Sequence, residues 1–132
     1  MELIKLLHNY FFILGLILSS IGIFEIVFPS VAYKIWEKWI SSKLYFLHGI
    51  ILMAGGFPLT IYNGPFSTLL FIIGLIAALL GPFIFIYPDK FRKLFLHASE
   101  ETDHGGFKKM LLVDGIIKIS IAILLIYIFL LH

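Results

Sequence analysis

The chain contains no cysteine, which excludes disulfides, thiolate metal sites and cysteine nucleophiles and leaves no redox compartment to read. Charge is scarce as well. Asp, Glu, Lys and Arg make up 14% of the residues, against about 25% in soluble domains. The formal net charge of +2 is too small to draw nucleic acid, so no nucleic-acid partner is expected. No nucleotide loop, catalytic constellation or established metal-ligand spacing is present. An enzyme is not expected, and no cofactor is called for.

What the chain has in excess is apolar side chains, 61% of its 132 residues, against about 45–50% in soluble domains. They fall in long runs. A bilayer core of about 30 Å needs roughly 20 apolar residues in a helix. Residues 10–28, 44–62, 66–87 and 110–131 qualify, which predicts four spans in a single membrane domain over residues 1–132. The first run is longer than a signal-peptide core of about 7–15 residues and no small-residue cleavage site follows, so it reads as a retained helix. Between the second and third spans lies only Asn63-Gly64-Pro65, a tight turn that makes those spans an antiparallel hairpin.

The other two connections open with Pro29-Ser30 and Pro88-Asp89. Proline ends each span, and Ser30 and Asp89 stand where N-caps belong. Trp36 and Trp39 with Lys34 and Lys38 follow the first, and Arg92 and Lys93 follow the second. Such mixtures suit short amphipathic helices anchored at the headgroup level; the alternative is irregular basic loops. Eight lysines and arginines lie in these two connections, and Lys5 alone lies on the other side. The positive-inside rule therefore puts both connections in the cytoplasm and both termini outside, in a prokaryotic plasma membrane.

Residues 12–17 recur at an offset of 59 as residues 71–76, identical at five of six positions. The same offset pairs Gly22 with Gly81, Pro29 with Pro88 and Lys34 with Lys93. At an offset of 66, His48-Gly49-Ile50-Ile51 faces Asp114-Gly115-Ile116-Ile117. The seven extra residues fall in or near 99–106. Two repeats, about 10–62 and 66–131, each span, interfacial helix, span, are expected to run parallel about an axis along the membrane normal. The predicted fold is all-α, a four-helix membrane bundle. Gly15, Ser19 and Gly22 line one face of the first span, and Gly74, Ala78 and Gly81 line the matching face of the third. Small residues let helix backbones approach closely. The face on the third span is expected to meet a partner protein.

Gly81-Pro82, Tyr87-Pro88 and Phe91-Arg92-Lys93 carry a resemblance. Each half resembles small two-helix bacterial inner-membrane proteins of unknown function, in which a span ends at a proline followed by an aromatic and basic stretch. The first half departs from that pattern, with Ile23 where the second has Pro82. The resemblance covers most of each half and implies no activity.

Ionisable residues at membrane depth are costly and merit a functional hypothesis. Four stand out: Glu25, His48, Asp114 and Lys118. Asp114 and Lys118 are one turn apart and can pair. Lys118 can snorkel outward, whereas Glu25 needs a partner such as His48. These residues form either a site for a proton, ion or headgroup, or a structural pin between helices. His97, Glu101 and His104 are weak metal-ligand candidates in a segment that otherwise reads as a solvated loop. Haem would want histidines at matching depth, which His8, His48 and His132 do not supply. The leading expectation is a non-catalytic accessory or scaffold protein of the bilayer, working with other membrane subunits or with itself. A small oligomeric transporter or channel component is the alternative, and a quinone- or redox-associated subunit the third.

Overall fold

A computed structural model describes residues 2–100 and 106–131. It contains six helices: α1 (Glu2–Val27), α2 (Pro29–Ile40), α3 (Phe46–Ile61), α4 (Ser67–Ile86), α5 (Pro88–Glu100) and α6 (Gly106–Leu130). No strand occurs among the described residues. The all-α class agrees with the apolar periodicity. Three helices are long and apolar enough to cross a membrane: α1, α4 and α6. The apolar α3 has 16 residues and is shorter. Aliphatic side chains such as Ile76, Leu79 and Ile123 are more than half exposed, the surface expected of helices that face lipid.

Element bounds differ from the sequence expectation in instructive ways. α1 starts at Glu2, eight residues before the expected span, because Glu2 in the first turn suits the helix dipole. Ser30 and Asp89 are not caps. The helices start one residue earlier, at Pro29 and Pro88. Proline is favoured at the first helical position, where its missing N–H costs nothing. Only Phe28 and Tyr87 separate these helices from the preceding ones. Phe28 N–H still donates to Phe24 O at 2.8 Å, and Ala32 N–H donates to Phe28 O at 3.0 Å. Tyr87 repeats the pattern toward Phe83 O at 2.8 Å. The bonds that remain across each junction are those made by the linking residue, Phe28 or Tyr87, so each junction is a proline bend between two helices. The tight turn between α3 and α4 closes with Phe66 at φ 65°, the left-handed region that non-glycine residues rarely enter.

The chain forms two compact units. One comprises Met1–Trp36 with His97–His132, the other Glu37–Leu96, so that the boundaries fall inside α2 and α5. In the first unit α1 packs on α6; in the second α3 packs on α4. Glycines make each contact. A Cβ on Gly22 would lie 2.8 Å from Gly115 O, and one on Gly15 3.3 Å from Ala122 O. In the second unit a Cβ on Gly81 would lie 2.5 Å from Gly49 O, and one on Gly74 2.5 Å from Gly56 O. These two seams correspond position by position. Gly22 and Gly15 become Gly81 and Gly74 at the offset of 59; Gly115 and Ala122 become Gly49 and Gly56 at the offset of 66. Each seam thus joins one helix from each half of the sequence. The small face of α4, expected to meet a partner protein, is filled by α3. Ala78 lies half-buried beside it, while the Ser19 hydroxyl on α1 turns back to Leu16 O at 3.1 Å.

Candidate functional site

Glu25 lies on the stripe of α1 that also buries Phe11, Gly15 and Gly22. Helical spacing puts these residues on one face. The glycines that draw α6 close therefore also turn the carboxylate inward, and Glu25 is 1% exposed. Lys118 comes from α6 and donates from Nζ to Glu25 Oε1 at 2.7 Å. Trp36 comes from α2, brought back by the bend at Pro29, and donates from Nε1 to the same oxygen at 2.9 Å. Lys118 also pairs with Asp114 Oδ2 at 2.5 Å, one turn away on α6. Its ammonium sits 4.6 Å from the centre of the Trp36 ring, within cation–π range. Lys118 therefore does not snorkel. Its chain turns inward to the buried carboxylate and the aromatic face.

Electrostatically the group is unbalanced. Two carboxylates share one ammonium. Glu25 Oε1 receives two hydrogen bonds, whereas Oε2 is buried and receives none. Asp114 and Glu25 both approach the Lys118 ammonium, from α6 and α1 respectively. Exposure falls along the group, from 43% at Asp114 through 17% at Lys118 to 1% at Glu25.

His48 belongs to the other unit. Its ring stacks on Tyr45 with centroids 5.6 Å apart and meets Trp39 edge-on at 6.4 Å. Glu25 thus takes Lys118 and Trp36 as partners instead of the expected His48. Among the interfacial residues, Lys34, Lys38 and Lys93 are exposed and Trp39 is half-buried. Arg92 does more than anchor. Its Nε donates to Ile40 O at 2.8 Å, its Nη2 to Ser42 O at 3.4 Å and its Nη1 to Asp89 at 2.6 Å. The guanidinium satisfies carbonyls at and just beyond the C-terminal end of α2 that the helix itself leaves open. Of the metal-ligand candidates, His97 is exposed on α5, and Glu101 and His104 lie outside the described residues. Among the described residues no group of three or more metal-ligating side chains gathers.

Sequence reasoning missed the roles of Trp36 and Arg92. Both were read as headgroup anchors from their residue type. Nothing local marks a contact eleven residues back across a proline bend, or one reaching fifty residues back to the end of another helix. The one signal was the choice of arginine, whose planar fork serves two carbonyls where lysine offers a point charge.

The offsets of 59 and 66 allow a comparison between the two seams. The positions equivalent to Glu25 and Trp36 are Ile84 and Phe95, and those equivalent to Asp114 and Lys118 are His48 and Leu52. Ile84 is 2% exposed, buried like Glu25. The second seam is thus built on the same glycine pattern with an isoleucine in the glutamate's place. Comparison with family models, with curated proteins and with solved structures finds no match for this chain.

Proposed function

We propose that the chain is a non-catalytic subunit of the membrane, crossing the bilayer four times, that works inside a larger membrane assembly or a homo-oligomer. The observation that carries this reading is where the chain is spent. Single residues join α1 to α2 and α4 to α5, and residues 62–66 join α3 to α4. Among the described residues the chain between helices is confined to these short links and residues 41–45, which supports work within the bilayer and at its surface. Counting α3 as a span requires about 24 Å of helix to suffice. Three-residue turns closed by Tyr45, Leu47 and His48 lead into it and lengthen the coiled backbone. The basic connections carrying α2 and α5 belong in the cytoplasm by the positive-inside rule, with both termini outside. The matched seams support the reading of two repeats.

A second reading, a small transporter or channel component acting as an oligomer, is favoured by one observation, the charged group around Glu25 at membrane depth. Extraction in mild detergent followed by affinity capture and mass measurement separates the two. The leading reading predicts a stoichiometric larger partner, and the second a symmetric homo-oligomer. A lone monomer in nanodiscs and in detergent alike would contradict both.

A further inference from the structure

We propose that Glu25 is a proton-binding site within the membrane layer, sharing its proton with Asp114, while Lys118 and Trp36 hold the carboxylate form. The proposal rests on the membrane-seated reading above and adds the ligand.

Three independent observations lead to it. The first is charge. Glu25 and Asp114 bring two negative charges to one Lys118 ammonium. A net charge left in a low-dielectric layer is costly. One proton removes it. The second is the unpartnered oxygen. Glu25 Oε2 is buried and receives no hydrogen bond, although an ionised carboxylate can accept on both oxygens. Two carboxylates gathered on one ammonium can bond to each other only when one is protonated, as in other carboxyl pairs that share a proton. The third is the second seam, which has Ile84 where the first has Glu25 and Leu52 where it has Lys118. Close helix packing in this molecule therefore does not call for the charges. A pin between helices would be needed equally in both seams.

The surrounding groups define the step. Facing Glu25 are Lys118 and Asp114 from α6 and the Trp36 indole from α2. Between Phe11 and Val27, α1 carries no other ionisable side chain. A proton from water reaches Asp114, the most exposed member, and passes to the Glu25 carboxylate, giving a neutral carboxylic acid. Release reverses this path. No bond other than O–H is made or broken. In the protonated state Lys118 remains balanced by Asp114 and by the face of Trp36.

Trp36 makes the event visible. The chain has two tryptophans, so Trp39→Phe leaves Trp36 as the sole indole, bonded to the carboxylate that titrates. The experiment is a pH titration of Trp36 emission in the Trp39→Phe protein in liposomes, between about pH 4 and 10, with circular dichroism recorded alongside. The expected result is one sigmoidal transition at constant helicity, abolished by Glu25→Gln and shifted in midpoint by Asp114→Asn. A flat titration, or one that survives Glu25→Gln unchanged, overturns the proposal. A midpoint that moves when sodium replaces choline at equal ionic strength assigns the site to a metal cation and also overturns it. If Glu25→Gln fails to fold, a hydrophobic carbodiimide applied to the Trp39→Phe protein decides instead. It adds to a protonated carboxyl, so adduct on Glu25 at low but not high pH is expected, and no adduct at any pH overturns the proposal. Alkaline carbonate extraction keeps the two readings apart. Release of the protein from vesicles defeats the membrane seating, whereas a retained protein with a flat titration defeats the proton site alone.

Discussion

Glu25 and Lys118 are each intelligible only through the other. Removing one partner of a buried ion pair strands the remaining charge, at a cost of about 3–5 kcal/mol. Lys118→Leu should therefore destabilise strongly, since Glu25 keeps only the Trp36 donor. The second seam suggests the rescue. Adding Glu25→Ile to Lys118→Leu installs the residues found at the equivalent positions, Ile84 and Leu52. The pair should recover most of the lost stability in thermal unfolding followed by circular dichroism in detergent. A double variant as unstable as the single would mean that the first seam needs its charges to pack. Arg92 allows a second test at this scale. Arg92→Lys keeps the charge and loses the fork that reaches Ile40 O and Ser42 O. Hydrogen bonds involving a charged group contribute about 1.5–3 kcal/mol, so a loss within that range is expected in guanidinium unfolding. Unchanged stability would reduce Arg92 to a surface anchor.

Among the elements, the glycine seams set the distance between helices, and the neighbour of each glycine sets its tolerance. At Gly22 a Cβ would meet the backbone oxygen of Gly115 at 2.8 Å. A carbonyl inside a helix moves only if the whole helix moves. At Gly15 the nearest atom is Cγ1 of Ile126 at 2.7 Å, in a side chain that can change rotamer, and the Ala122 carbonyl is farther off at 3.3 Å. Gly22→Ala should therefore destabilise more than Gly15→Ala, toward the upper part of the roughly 1–3 kcal/mol typical of overpacking. Equal losses in detergent unfolding would contradict the carbonyl contact. The small residues, the offsets of 59 and 66 and the proline punctuation were all legible in the sequence, because composition and spacing act locally. Which helix meets which was not legible. Gly15, Gly22, Gly74 and Gly81 announce close approach without naming the neighbour, and the pairing of α1 with α6 joins residues about a hundred positions apart. Ser30 and Asp89 misled for a local reason, since a proline can open a helix as readily as it ends one.

For the molecule as a whole, the account stands on how often the chain crosses the membrane. α1, α4 and α6 have the length and composition to cross, whereas α3 falls short by a few residues. If α3 lay in the interface, the turn around Gly64 would sit on the same side as the first basic connection and the second would fall on the opposite side, so the orientation inferred from their lysines and arginines would not fit three crossings. The absence of native cysteine makes the question direct. Single cysteines at Glu37, Gly64 and Lys93, each in an otherwise unchanged chain, are probed with a membrane-impermeant maleimide on intact cells and again on inverted vesicles. The account predicts labelling of Gly64→Cys only from outside and of Glu37→Cys and Lys93→Cys only from the cytoplasmic side; labelling of Gly64→Cys and Glu37→Cys from the same side would contradict the proposed four crossings.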